Sequence, residues 1–176
     1  MGPVQHHFCP HCGEWLSQES WPRTCSNCGQ TTWRNPAPVV VMLVPLLGLK
    51  AVLAVRRDIE PDKGKLALPS GYVDWGETWQ EAAARELKEE TNLFVRPTSL
   101  RLFDITSSKN KAHLLVFVQT PTVVWTNAQG DFAVNDEVSG IEAISDTSEL
   151  CWETHQQMAT RLLTATYCDT CGKRER

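Results

Sequence analysis

Apolar and polar positions fall into two textures along this chain. Residues 8–34 are rich in Cys, Trp, Gly and Asn and read as short turns with little material for a core. Pro36 and Pro38 mark a junction, and at Val39 the texture changes to an apolar strand of about eight residues. Gly48 sits in a turn, and residues 51–57 return as a second strand, which together predict a hairpin. Residues 58–64 form a polar loop containing Pro61, residues 66–68 a short strand, and Pro69-Ser70-Gly71 a turn. A helix follows, with Thr78 as N-cap and Glu81 three residues later in the capping-box arrangement. It runs through good helix formers to Thr91, and Asn92 suits the left-handed position that ends many helices. Strands are expected over 93–96, 100–106 and 112–120, with the turn of a hairpin at 107–111. A loop over 129–136, a strand over 138–144 and a closing helix over 152–166 complete the reading. This mixed order with several hairpins predicts an α+β fold or an α/β/α sandwich. The expected division is an N-terminal unit 1–36, a main domain 37–167 and a tail 168–176.

Composition narrows the partners. Hydrophobic residues make up 41% of the 176, enough for a core, and charged residues 22%, close to the usual share. The net charge of −4 argues against a general nucleic-acid binder, so nucleic acid is not an expected partner. A small anionic substrate fits only if a cation or a local basic patch holds it. Residues 1–8 lack the apolar stretch of a signal peptide, and the longest apolar run, 39–49, is too short to span a bilayer. The expected setting is the cytoplasm, with no membrane contact.

The sharpest chemical signal lies in the helix. At about 100° per residue, Trp79, Ala82, Ala83 and Leu87 mark its inner face. Glu86, Glu89 and Glu90 fall within that arc or at its border. Glu86 is three residues from Glu89 and four from Glu90, so these side chains are neighbours. Like charges at that spacing repel, and burying them costs more. A solvated acidic stripe would explain an arbitrary helix. Here the overlap with the apolar face, the adjoining Arg85 and the glycine-containing turn before the helix favour a bound divalent cation, Mg²⁺ or Mn²⁺, which takes oxygen ligands.

Residues 71–93, GYVDWGETWQEAAARELKEETNL, resemble the Nudix box. The family pattern is matched by Gly71, Glu77, Arg85, Glu86, Leu87, Glu89, Glu90 and Leu93; Asn92 stands where the family has Gly. Leu68-Pro69 before the box and Asp136-Glu137-Val138 well after it also fit. The resemblance implies a Nudix-type α/β/α sandwich with a mixed sheet, and an enzyme that hydrolyses a diphosphate bond with Mg²⁺ or Mn²⁺. It implies Glu89 and Glu90 as main metal ligands, Glu86 as ligand or base, and Arg85 as the group orienting the carboxylates. The Gly71 carbonyl is a further implied ligand, and Glu77 a brace for the loop. The base varies in this family and often lies outside the box; Glu137 is the first outside candidate and Glu149 the second.

Cysteine carries a second signal. Cys9-Pro-His-Cys12 and Cys25-Ser-Asn-Cys28 are two C-x-x-C pairs, each followed by Gly, at Gly13 and Gly29. Paired knuckles at this distance predict a structural Zn²⁺ held in a small zinc ribbon by Cys9, Cys12, Cys25 and Cys28. His6, His7 and His11 are bystanders in this reading. Cys168 and Cys171 resemble a third knuckle with only two ligands and are expected to be an unliganded tail. The ribbon can serve folding, contact in a homodimer, which is the expected assembly, or cover for a pocket. Its Trp15, Trp21 and Trp33 pack within it or present a stacking surface.

A zinc ribbon before the box is similar to the NADH pyrophosphatase subgroup and to relatives acting on ADP-ribose or FAD. The Ser-Gln-Pro-Trp-Pro-Phe-Pro-like array of the NADH-specific members has no counterpart in residues 94–108. The expected substrate is therefore a nucleoside diphosphate derivative such as ADP-ribose, FAD or an NAD(H)-like molecule, cleaved to a nucleoside monophosphate. Trp33, Trp75, Phe103 and Phe132 are candidates to stack on a base. Arg56 and Arg57 meet phosphate or are plain surface charges. Two alternatives stay open: a non-catalytic nucleotide sensor using the same pocket, and a hydrolase of nucleotide-capped RNA.

Overall fold

A computed structural model describes residues 7–17 and 20–166. The 168–176 tail with Cys168 and Cys171, and His6, lie outside the described residues. The chain divides into two compact units, Met1–Pro36 and Ala37–Arg176.

The first unit has one small antiparallel ladder, β1 (Arg23–Thr24) with β2 (Thr31–Thr32). Its buried apolar cluster is only Cys9, Leu16 and Cys25. Such a core is too small to order a unit by itself.

The second unit is built on strands buried on both faces. β3 (Ala37–Leu43) carries the apolar run that begins the domain. It pairs antiparallel with β6 (Ser70–Tyr72) on one side and parallel with β8 (His113–Gln119) on the other. β7 (Arg101–Ser107) completes a mixed four-stranded sheet in the order β6-β3-β8-β7. A second, antiparallel sheet has the order β5-β4-β9, formed by β5 (Leu66–Ala67), β4 (Val52–Arg57) and β9 (Val138–Ile144). Successive residues point to opposite faces. Val40 and Met42 of β3, Leu53 and Val55 of β4, and Val116 and Val118 of β8 therefore enter one core. Val41 and Leu43, Val52 and Ala54, and Leu115 and Phe117 enter the other.

A helix closes each core. α1 (Trp79–Thr91) covers the first with Ala82, Ala83 and Leu87. α3 (Glu153–Thr166) covers the second with Met158, Ala159, Leu162 and Leu163. This is the expected α/β/α sandwich. α2 (Trp125–Asp131) is a short helix that begins ahead of the loop expected over 129–136 and takes in its first residues.

Three local expectations differ. The hairpin across Gly48 exists only at its closed end: Pro45 bridges Val52, Leu53 N–H donates to Val44 O and Leu46 N–H to Ala51 O. Beyond it β3 and β4 part into separate sheets, because both edges of β3 are already taken by β6 and β8. The sequence predicts a turn at Pro69-Ser70-Gly71, yet Ser70 and Gly71 lie in β6 and pair with Val41 and Val40 of β3. Residues 93–96 form no strand among the described residues. Leu93 and Val95 are buried and Phe94 and Arg96 exposed, so the alternation is real, but no neighbouring strand supplies a ladder.

His155 on α3 is buried and sits edge-on to Phe117 and Trp152. Its Nδ1 accepts the Leu68 N–H at 3.2 Å, which fixes the neutral tautomer. Burial, with the Arg57 charge adding to it, pushes its pKa down to about 3. The unfolded chain takes up this proton near pH ~6.5. The contribution of His155 to stability is therefore complete above that pH and is lost as pH falls towards 3. Denaturant unfolding should show wild-type stability declining relative to His155→Gln by up to ~1.4 kcal/mol per pH unit below pH ~6. Parallel pH curves for the two proteins would refute a buried neutral imidazole.

Candidate active site

The site grows from the way α1 starts and stops. Thr78 Oγ1 accepts the Glu81 N–H at 3.3 Å, and the Glu81 carboxylate accepts the Thr78 N–H at 2.8 Å. Asn92 takes the left-handed conformation (φ 60°) and its N–H donates to Lys88 O. These two caps fix the rotation of the helix on the sheet, and thereby which acids face inward.

Glu86 and Glu90 are buried, whereas the Glu89 side chain is 57% exposed. Glu86 lies directly over β6. A Cβ at Gly71 would fall 1.9 Å from Glu86 Cδ, so only a glycine there leaves room for the carboxylate. Glu90 Oε2 accepts the Ser70 N–H at 2.9 Å, which ties the last turn of α1 to the same strand. Burial pushes the Glu90 pKa up to about 8, with the charges of Glu86 and Glu137 adding to it against the Ser70 N–H and Arg57. Burial raises Glu86 as well, opposed by its pair with Arg85.

Arg85 is the hub. Its Nε and Nη2 fork onto the Glu77 carboxylate at 2.8 and 3.0 Å. Its Nη1 reaches Glu86 Oε1 at 2.7 Å and Glu89 Oε2 at 3.1 Å, and Nη2 also donates to Tyr72 O at 3.0 Å. The bidentate geometry is the strong form of this pair. The Arg85 hydrogen bond holds Glu77 below the usual carboxylate range. Glu77 in turn accepts the Asp74 N–H at 3.1 Å, bracing the loop before α1.

Glu137 stands in the exposed loop before β9, and Asp58 N–H donates to its carbonyl at 2.7 Å. Its charge acts on both Glu86 and Glu90. The structure thus brings Arg85, Glu86, Glu89, Glu90, Gly71 and Glu137 to one region. Glu149 lies elsewhere, in the turn Thr147–Glu149 against α3. Arg56 is occupied by Glu142 and Gly64 O. Arg57 lies over the Trp152 ring at 4.9 Å, while its charge still reaches Glu90. Trp75 is fully exposed beside the site, Phe103 lies under Arg161, and Phe132 packs on the first core. Trp15 and Trp33 are exposed, and Trp21 is half-buried against the Arg23 guanidinium.

Carboxylates in this arrangement could hold a divalent cation. Glu86 and Glu90 are close, desolvated and raised in pKa, and a cation would relieve that cost. Among the described residues, the four cysteines of the first unit are the group whose ligand atoms all lie within 4.8 Å of one another. Cys9 and Cys28 Sγ are 3.7 Å apart, and Cys12 and Cys25 Sγ 3.6 Å. A tetrahedral ion with bonds of about 2.3 Å to sulfur needs edges of about 3.8 Å. The two knuckles share one backbone pattern: Gly13 N–H donates to Cys9 O and Gly29 N–H to Cys25 O, each at 2.9 Å. Gly13 and Gly29 have φ near +76° and +72°, which a side chain would strain. The four cysteines are positioned to bind a metal ion.

The family model for the NUDIX domain matches residues 36–166. The chain belongs to the NUDIX family. It is 33% identical over 93 residues to the NAD-capped RNA hydrolase NudC of Edwardsiella ictaluri (strain 93-146), a match covering 52% of this chain and 35% of that protein. It is 49% identical over 49 residues to the ADP-ribose pyrophosphatase of Methanocaldococcus jannaschii, covering 28% and 29%. The chain therefore spans about a third of the length of these curated relatives. A crystal structure of a NUDIX hydrolase from Nitrosomonas europaea superposes with a TM-score of 0.65 at 20% identity, covering 89% of each chain, and shows the shared fold.

Three contributors to this NUDIX site carried no recognised signal in the sequence. The Ser70 N–H and the Tyr72 carbonyl act through the backbone, so their side chains give no hint. Asn135, which contacts the end of α1, sits in a loop where only Phe132 and Asp136-Glu137-Val138 carried a signal. The close approach at Gly71 has a direct consequence. Gly71→Ala should cost on the order of 1–3 kcal/mol in denaturant unfolding, because the Glu86 carboxylate must leave its place. In a Glu86→Ala background, where the obstructing atoms are gone, the same substitution should cost less than ~1 kcal/mol. Equal costs in both backgrounds would contradict the packing described.

Proposed function

We propose that this protein is a divalent-metal-dependent pyrophosphohydrolase that cleaves the diphosphate bond of a nucleoside diphosphate derivative, ADP-ribose, FAD or an NAD(H)-like molecule, releasing a nucleoside monophosphate. The observation that carries the reading is the burial of Glu86 over Gly71 and of Glu90 against the Ser70 N–H, with the charge of Glu137 acting on both. The named activities of the ADP-ribose pyrophosphatase and NudC relatives support the substrate class. Glu86, Glu89, Glu90 and the Gly71 carbonyl are the proposed holders of Mg²⁺ or Mn²⁺. The ion, when bound, supplies positive charge that offsets the diphosphate's own charge and makes water more acidic. Arg85 keeps the acids oriented through its fork to Glu77. Glu89, the exposed member, is paired with Arg85. Glu137 accepts the proton of the attacking water. In the first unit the four thiolates are assigned to Zn²⁺ in a structural role, since all four positions are protein ligands. Such thiolates persist in a reducing compartment, consistent with the cytoplasm.

A panel of ADP-ribose, FAD, NADH, NAD⁺ and NAD-capped RNA, with product identification, tests the activity. Mg²⁺- or Mn²⁺-dependent release of a nucleoside monophosphate is expected, reduced at least ~100-fold by Glu90→Gln with the fold retained. A protein that binds ADP-ribose but cleaves no member of the panel would be a sensor, not an enzyme. Elemental analysis should find one zinc per chain, and removing it should melt residues 1–36 while leaving the second unit's unfolding transition in place. A full complement of order in the first unit without metal would count against the structural role.

A further inference from the structure

The last turn of any helix leaves carbonyls without a donor four residues on. In α1 the Asn92 N–H satisfies Lys88 O, and the chain then departs from the helix axis. The carbonyls of Glu89 and Glu90 find a donor from far away in sequence. Asn135 Nδ2 donates to Glu89 O at 2.9 Å and to Glu90 O at 3.5 Å. The other end of the same amide faces the opposite way. Asn135 Oδ1 accepts the Glu137 N–H at 3.0 Å and the Val138 N–H at 2.9 Å. Asn135 N–H also donates to Val138 O at 3.1 Å, closing a compact turn at the start of β9.

These partners fix the orientation of the amide. With nitrogen and oxygen exchanged, the oxygen would face two carbonyls and the nitrogen two N–H groups. Few side chains can replace it. Aspartate keeps the acceptor but sets a charge against the carbonyls, and alanine offers neither end. One half-buried side chain therefore joins the helix that carries Glu86, Glu89 and Glu90 to the loop that carries Glu137. The end of β4 joins the same knot through the Asp58 N–H to Glu137 O at 2.7 Å.

We propose that Asn135 is a positioning residue, holding the Glu137 loop on the last turn of α1 so that its carboxylate keeps a fixed place over the helix acids. This rests on the reading above in which Glu137 accepts a proton from water. Loss of the amide leaves the acids of α1 in place and lets Glu137 wander, so the effect falls on turnover and not on substrate binding.

Steady-state kinetics and amide hydrogen exchange on the full chain test this together. Asn135→Ala should lower kcat by ~10–100-fold with KM within about threefold of wild type. Asn135→Asp, which keeps the acceptor alone, should lose as much. Because both act through one group, Asn135→Ala combined with Glu137→Gln should be no slower than Glu137→Gln alone. Exchange at the Glu137 and Val138 amides should quicken in Asn135→Ala while the middle of α1 stays protected. Unchanged kcat in Asn135→Ala, wild-type turnover in Asn135→Asp, or losses that multiply in the double variant would overturn the proposal. Failure of the underlying reading looks different. A wild-type protein that cleaves nothing ends the proposed activity, and the exchange measurement then decides the clamp alone, with unchanged protection at Glu137 and Val138 overturning it.

Discussion

Everything at the candidate site depends on two carboxylates buried where a helix meets a strand. Glu86 and Glu90 sit on the face of α1 that also supplies Ala82, Ala83 and Leu87 to the first core. Burying an acid costs several kcal/mol unless it is paired or protonated. The fold meets that cost with Arg85 on Glu86, with the Ser70 N–H on Glu90, and with a proton affinity for Glu90 raised into the physiological range. Gly71 makes the arrangement sterically feasible. A stability-driven sequence would place alanine or leucine at these positions, so the cost points to a ligand that the acids serve.

The sandwich explains why the cluster can be kept in register. Strands buried on both faces give a stiff platform, and α1 is pinned at both ends by its capping box and by the left-handed Asn92. β6 is short and at the sheet edge, yet it contributes the Ser70 N–H, the Gly71 gap and the Tyr72 carbonyl. Three consecutive residues thus touch Glu90, Glu86 and Arg85 in turn. Placement of acids by backbone groups on a short strand is more exact than placement by long side chains, because fewer torsions intervene.

Local chemistry was legible in the sequence and long-range pairing was not. Thr78, Glu81 and Asn92 could be read as caps because capping depends on neighbours in sequence. The cysteine knuckles were legible because spacing and glycine fix their shape. The burial of Glu86 and Glu90 followed from helical periodicity, whereas Glu89 proved exposed because it lies at the edge of the arc. The pairing of Ser70 and Gly71 with β3 overrode their turn character, since an edge of β3 would otherwise have gone unpaired. Residues 93–96 show the converse, a strand-like alternation with no partner strand. The role of Asn135 was invisible because the helix carbonyls it meets lie more than forty residues away.

On the proposed function, the inward acids of α1 meet a divalent cation. Calorimetric titration of Mn²⁺ into the protein at pH 7, repeated in buffers of different ionisation enthalpy, counts the protons displaced. Burial raises the proton affinity of Glu90, so a cation that takes its carboxylate as a ligand displaces protons. Saturable binding with proton release, lost in Glu90→Gln, is the predicted result. Absence of Mn²⁺ binding, or binding that releases no proton and is equally tight in Glu90→Gln, would contradict it.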